Sequence, residues 1–138
     1  MNLSKIPDNA SGSIIFSGCC WGALPVFQRA SKYKKDIPIK AKTPEQSIAI
    51  RYLRAGAQAF IGCTGSHYSP LKDPFNYYGK PMHDYFWKYI NKGYQPAEAL
   101  FQAKREYLKN MPFDKKDAFS RAIESKIYYQ FTCLGLGW

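Results

Sequence analysis

The sequence predicts an α/β fold: a mostly parallel sheet with flanking helices. Three observations carry that expectation. Residues 14–16 (IIF) form a short apolar run that breaks into small residues at Ser17 and Gly18. A capped amphipathic stretch over 44–55 leads directly into a second apolar run, AQAFIGC at 57–63. Two further amphipathic stretches, 81–93 and 95–110, supply the helical surface that a sheet needs for cover.

Taken in order, the first strand ends near Ser17 and opens into ALPVFQRASKYKKDIPIKAK (23–42), a long irregular loop with prolines at 25 and 38. Thr43 then caps a helix over 44–55. Gln46 stands at the third helical position for a capping box, and Pro44 sits where a missing N–H is harmless. Ile48, Ala49, Tyr52 and Leu53 share one face, and Gly56 suits a left-handed helix end. The 57–63 run reads as a second buried strand. A strand, a helix and a strand in succession favour a parallel right-handed crossover. Both strands would end on one edge, with TGSHYSP (64–70) beside Cys19 and Cys20.

Beyond a loop reaching about residue 80, Met82, Tyr85, Phe86, Tyr89 and Ile90 recur at helical spacing up to Gly93. Pro96 restarts a helix with Ala99, Leu100, Ala103 and Tyr107 on one face. Such aromatic stripes read as core. DKKDAFSRAIES (114–125) reads as a short polar helix, and IYYQFTCLG (127–135) as a third strand rich in β-formers.

With 46% hydrophobic and 17% aromatic residues, the 138-residue chain can bury one modest core, which excludes a disordered polypeptide. No apolar run approaches the roughly 18 residues that cross a bilayer, and MNLSKIPDNASGS lacks the apolar core of a secretory signal. No membrane partner is expected, and the default location is cytoplasmic. The four cysteines are too few and too irregular for a disulfide framework, so they read as free thiols. Cys63 and Cys133 are expected to be mostly buried.

The formal charge of +10 favours anionic contacts, and it is densest at Arg29, Lys32, Lys34, Lys35, Lys40 and Lys42 against a single Asp36. No nucleic-acid motif accompanies it. Only weak, salt-sensitive binding without sequence preference is expected from that loop. The chain has no Walker loop, dinucleotide fingerprint or nucleophile elbow, so no cofactor is expected. Cys19, Cys20, Cys63, His67, His83 and Cys133 match no zinc spacing, and no metal is expected.

Two adjacent thiols at a strand end remain. They can be small core residues, or one of them can be a nucleophile exposed over the sheet edge. A catalytic cysteine needs a histidine within hydrogen-bond reach. His67 lies in the loop facing the thiols and is the candidate base; His83 begins a helix beyond it. Either histidine can equally be an ordinary surface residue. Successive side chains near a strand end alternate, so one thiol should face the crevice and the other the core.

The order of motifs resembles the C-terminal half of gingipain-like cysteine peptidases. It comprises SGCCWG after the first strand, TPEQSIA, LRAGAQAFIG, the TG loop with its tyrosine, and GYQPAEALFQAKREYL. The resemblance covers about residues 13–135. It implies a caspase-type fold, here a partial three-layer sandwich, with peptide or protein as substrate and hydrolysis through an acyl-enzyme. The family nucleophile falls on Cys19 when anchored on Gly22, the preferred alignment. A C-aromatic-G anchor moves it to Cys20. The loop after the second strand lines the pocket for the residue preceding the cut, which maps to Thr64, Gly65, Ser66, His67 and Tyr68. Asp73 is the nearest acid to that loop. At the end, Leu136 and Gly137 replace the family's Asp-Pro.

One family element is missing. The histidine of this fold sits in a His-Gly pair on an earlier strand, roughly 50 residues upstream of the cysteine in caspases. No His-Gly pair occurs here, and only 18 residues precede Cys19. The expectation is a single partial domain over 1–138, inactive alone and dependent on a histidine-bearing N-terminal half or partner chain. Its first strand should then present an exposed apolar edge. The alternative is a non-catalytic peptidase-like module that binds a partner chain or an anionic surface.

Overall fold

A computed structural model describes residues 3–26, 40–111 and 117–135. Most of the basic loop, Arg29 to Asp36 included, lies outside the described residues, as do Leu136 and Gly137. The fold is mixed α/β, with a three-stranded sheet and four α-helices among the described residues. Strands β1 (Ile14–Ser17), β2 (Ala59–Cys63) and β3 (Phe131–Leu134) lie in the order β1-β2-β3. β1 and β2 pair in parallel, Ile14 opposite Ala59 and Ser17 opposite Gly62. β3 runs antiparallel to β2, Phe60 opposite Leu134 and Cys63 opposite Phe131. Parallel pairing therefore holds for one of the two strand pairs. β2 is central and buried along its whole length, while β1 forms one margin of the sheet with its four residues half-buried.

Side chains of β2 alternate between two cores. Ala59, Ile61 and Cys63 join Phe131 beneath helices α2 (Gly79–Ile90), α3 (Pro96–Lys109) and α4 (Ala118–Gln130). Phe60 faces the other way, against Ala49, Tyr52 and Leu53 of helix α1 (Ile48–Arg54). Helices thus cover both faces of the sheet. No helix among the described residues is long and apolar enough to cross a membrane.

Local signals explain most element boundaries. Gln46 accepts the Thr43 N–H through its side chain at 3.0 Å, as the capping box requires. The expected 44–55 helix nevertheless divides. Pro44–Gln46 is a 3₁₀ turn, and the buried Ser47 starts α1 as a new cap, its hydroxyl accepting from Ile50 N–H at 3.4 Å. Gly56 stands at φ 92 behind α1, the left-handed position expected of it.

The third strand is shorter than its composition suggests. Ile127, Tyr128, Tyr129 and Gln130 belong to α4, and only the four residues from Phe131 are extended. Asp117 caps α4 by accepting the Phe119 and Ser120 N–H groups at 3.0 Å each. Ile123 and Ile127, one turn apart, then bury on a single face, and that burial outweighs the β-preference of the Ile-Tyr-Tyr run. Gly135 follows β3 at φ 100, where a Cβ would stand 2.8 Å from the Gln58 carbonyl oxygen and 2.9 Å from Leu53 Cδ2. Gly135→Ala should therefore destabilise the fold by about 1–3 kcal/mol in urea titration. An unchanged midpoint would show that this turn is not held against β2 and α1.

Candidate functional site

At the carboxyl edge of β1 and β2 the chain folds a tight turn around the adjacent thiols. Gly22 N–H donates to the Cys19 carbonyl at 3.2 Å, and Ala23 N–H donates to the Cys63 carbonyl at 3.1 Å, stitching the turn to β2. Trp21 takes φ 55, an unfavourable value for an indole residue, while its N–H donates to the Gly65 carbonyl at 2.9 Å. That bond carries the 64–70 loop to the thiols, as the strand order implied.

Gly22 has a steric task. A Cβ there would lie 2.5 Å from Cys19 Sγ, so the sulfur occupies room that only glycine leaves open. Cys19 Sγ also lies 2.8 Å from Ser17 Oγ. Cys20 Sγ instead accepts the His67 N–H at 3.2 Å. Both thiols are exposed. The expected alternation between crevice and core is not found, because β1 ends at Ser17 and the cysteines belong to a turn. The two do differ in partner. Cys63 is buried and Cys133 half-buried, in keeping with expectation.

His67 is held on several sides. Its Nδ1 lies 3.4 Å from Cys63 Sγ, and its ring stands edge-on to Phe131. A Cβ on Gly79 would come within 2.6 Å of His67 Cε1, so the start of α2 closes onto the ring. Burial lowers the His67 pKa, leaving a neutral imidazole at pH 7. Burial, and secondarily the neighbouring Cys19 and Cys20, push the Cys63 thiol up to about 12, so it keeps its proton. The thiol and the neutral ring thus share a contact whose donor and acceptor are set by the imidazole tautomer. Among the described residues no histidine ring is hydrogen-bonded to Cys19 or Cys20.

The remaining loop residues divide their attention. Gly65 holds the thiol turn, Ser66 is half-buried, and Thr64 donates to the Gln130 carbonyl from both N–H (2.9 Å) and Oγ1 (3.1 Å). Lys126 Nζ reaches the Tyr68 hydroxyl at 3.3 Å. Thr64 and Tyr68 thus tie the loop to α4. Beside it opens a cleft of about 310 Å³, lined by Phe16, Gly18, His67, Ser69, Lys80 and His83 among others. His83 Nε2 accepts the Trp87 indole N–H at 3.0 Å, and its ring stands edge-on to Phe16. Asp73 is exposed and does not line the cleft.

Sequence reasoning missed three participants: Ser17 beside Cys19, Cys63 beside His67, and Gly79 against the imidazole. The i, i+4 interval of Cys63 and His67 was the available signal, but it meant little without knowing that β2 ends there. No group of three metal-ligating side chains converges among the described residues. Compared with known protein families, curated proteins and solved structures, the chain matches none.

Proposed function

We propose that this chain is the cysteine-bearing half of a gingipain-like cysteine peptidase of the caspase-type fold, silent until a histidine from a partner chain or a further segment reaches its thiol. One observation supports the reading above others: two exposed adjacent thiols stand beyond the carboxyl edge of a parallel strand pair, bonded to the loop that follows the second strand. In the proposed reaction the incoming histidine takes the thiol proton, and the sulfur of Cys19 attacks the peptide carbonyl carbon. The C–N bond breaks, the amine leaves with the proton, and water then hydrolyses the thioester. Thr64, Gly65, Ser66 and Tyr68 would line the subsite for the residue before the cut.

A second reading has its own support. Among the described residues β1 carries a strand on one side only, so its other edge can accept a partner strand with no chemistry at all.

The test is co-expression with a polypeptide that ends a strand in His-Gly, followed by a peptide-hydrolysis assay and mapping of a thiol-directed peptide inhibitor. The expected result is turnover by the complex alone, lost in Cys19→Ala, with the inhibitor on Cys19. Labelling of Cys20 would shift the alignment by one residue. A complex that forms while neither thiol reacts would replace the peptidase reading with the module. Efficient turnover by the isolated chain would contradict the need for a second histidine.

A further inference from the structure

Helices α2 and α3 pack side by side, and the groove on their outer side holds a cavity of about 520 Å³. Lys88 and Tyr89 line it from α2, and Arg105, Glu106 and Lys109 from α3. Lys88 Nζ stands 2.6 Å from Glu106 Oε1. Burial opposes ionisation of Glu106, but Lys88 and the neighbouring Tyr89 outweigh it and hold the carboxyl below its ordinary pKa, so Lys88 and Glu106 cancel each other's charge. Among the described residues no carboxylate lies within ion-pair distance of Arg105 or Lys109. With three cations against one carboxylate, the groove keeps two positive charges. Helix stability accounts for only one of them. Lys109 ends α3, where a cation suits the negative end of a helix. Arg105 stands one turn further in and is repelled by Lys109 across an i, i+4 interval. Its Nη1 donates to Gln102 Oε1 at 3.4 Å, and its Cζ lies 5.8 Å from the Phe101 ring centroid; neither partner carries a negative charge.

We propose that this groove binds a dianionic phosphate group, with the Arg105 guanidinium and the Lys109 ammonium as its two countercharges. The lining chemistry selects that class. An organic cation or a metal ion would be repelled, and an apolar ligand would take two cations out of water without a partner. A single carboxylate would leave one of the two charges unmatched. A phosphate monoester carries about −1.5 to −2 at neutral pH, which matches both. Its oxygens also suit the two side chains in different ways: the planar guanidinium can hold two of them at once, while the ammonium acts as a point charge on a third. The volume lies within the range of small-molecule sites and exceeds what phosphate alone would fill, so an organic substituent has room beside Tyr89. The phosphate is carried either by a small ester such as a sugar phosphate or by the free anion.

Calorimetric titration of the full chain with ribose 5-phosphate, at a physiological ionic strength of about 0.15 M, tests this alongside ribose itself. The phosphate should bind saturably and ribose should not bind. Inorganic phosphate, titrated in parallel, identifies the source: binding at least as tight as that of the ester assigns the free anion, and weaker binding assigns an ester. Arg105→Gln combined with Lys109→Gln removes both countercharges from exposed positions and should weaken the phosphate by about tenfold or more. Lys40→Gln combined with Lys72→Gln takes the same charge from exposed positions outside the groove, and should leave affinity within about twofold. Circular dichroism establishes that each variant is folded. No saturable binding of either phosphate, or ribose binding as tightly as its phosphate, overturns the proposal. So does equal weakening in the two double variants, which would mean that the net charge of +10 draws the anion to no particular place. A single-stranded oligonucleotide that binds more tightly than the ester, and loses that affinity in the groove variant alone, overturns it in favour of a nucleic-acid surface. Should the groove variant fail to fold, undiminished affinity in Lys109→Gln alone decides against the proposal in the same way.

Discussion

Brief alkylation of the native chain at pH 8 should modify Cys19 and Cys20 and leave Cys63 untouched, with a rate difference of about a thousandfold or more. Two effects multiply. Cys63 shows no exposed surface, whereas both turn thiols are exposed. Its pKa, raised from the ordinary value of 9.0 to about 12, leaves about a thousandth of the thiolate of an ordinary cysteine. Burial raises the Cys133 pKa as well, and its half-buried position should give it an intermediate rate. The sign is fixed by which form reacts: only the thiolate is nucleophilic, so a raised pKa slows modification at every pH below it. Urea should abolish the ranking by equalising the four environments. Peptide mapping by mass spectrometry reads the outcome. Native Cys63 labelled as fast as Cys19 would mean that β2 is not the centre of the sheet.

Phe86→Ala should remove about 3–5 kcal/mol of folding free energy, a large share of the roughly 5–15 kcal/mol that holds a typical domain. The Phe86 ring is fully buried on the sheet-facing side of α2, with its centroid 5.2 Å from those of Phe16 and Trp87. Phe16 in turn lines the cleft beside the 64–70 loop and stands against His83. The missing ring would leave a cavity beside Phe16 and Trp87, and the loss includes the cost of that cavity. Phe101 on α3 is the control, 58% exposed, and its alanine variant should stay within about 0.5 kcal/mol of the parent. Urea midpoints compare the two directly. Similar losses at both positions would refute the assignment of the inward face of α2.

Strand β2 and the stripes of α2 and α3 were legible because burial there follows one period without conflict. Ala59, Ile61 and Cys63 alternate with Phe60, and Met82 and Phe86 repeat at one turn, as do Ala99 and Ala103. The apposition of the 64–70 loop and the thiols was legible too, since a parallel pair of strands leaves few alternatives. The extent of α4 was not. Ile127, Tyr128 and Tyr129 favour strands as isolated residues, and only the packing of Ile123 and Ile127 against α3 and β3 reverses that preference. The His67–Cys63 contact escaped for a different reason. It depends on where a ring turns within a loop, and no periodicity governs a loop.

The order of strands in the sheet also bears on how the chain finds its fold. Ile14 meets Ala59 and Phe60 meets Leu134, so no two strands can join as a local hairpin. Each pairing must first close a long loop, and the entropy of that closure is spent before any ladder bond forms. Helices α2 and α3 are near in sequence, and they pack closely upon one another. The topology therefore makes that helical pair the earliest available template. β2, apolar on both faces, stays without a strand partner until distant segments arrive. A nascent chain halted after α3 would hold β1, β2 and their first three helices but lack β3, and its central strand would be open to pairing along that side.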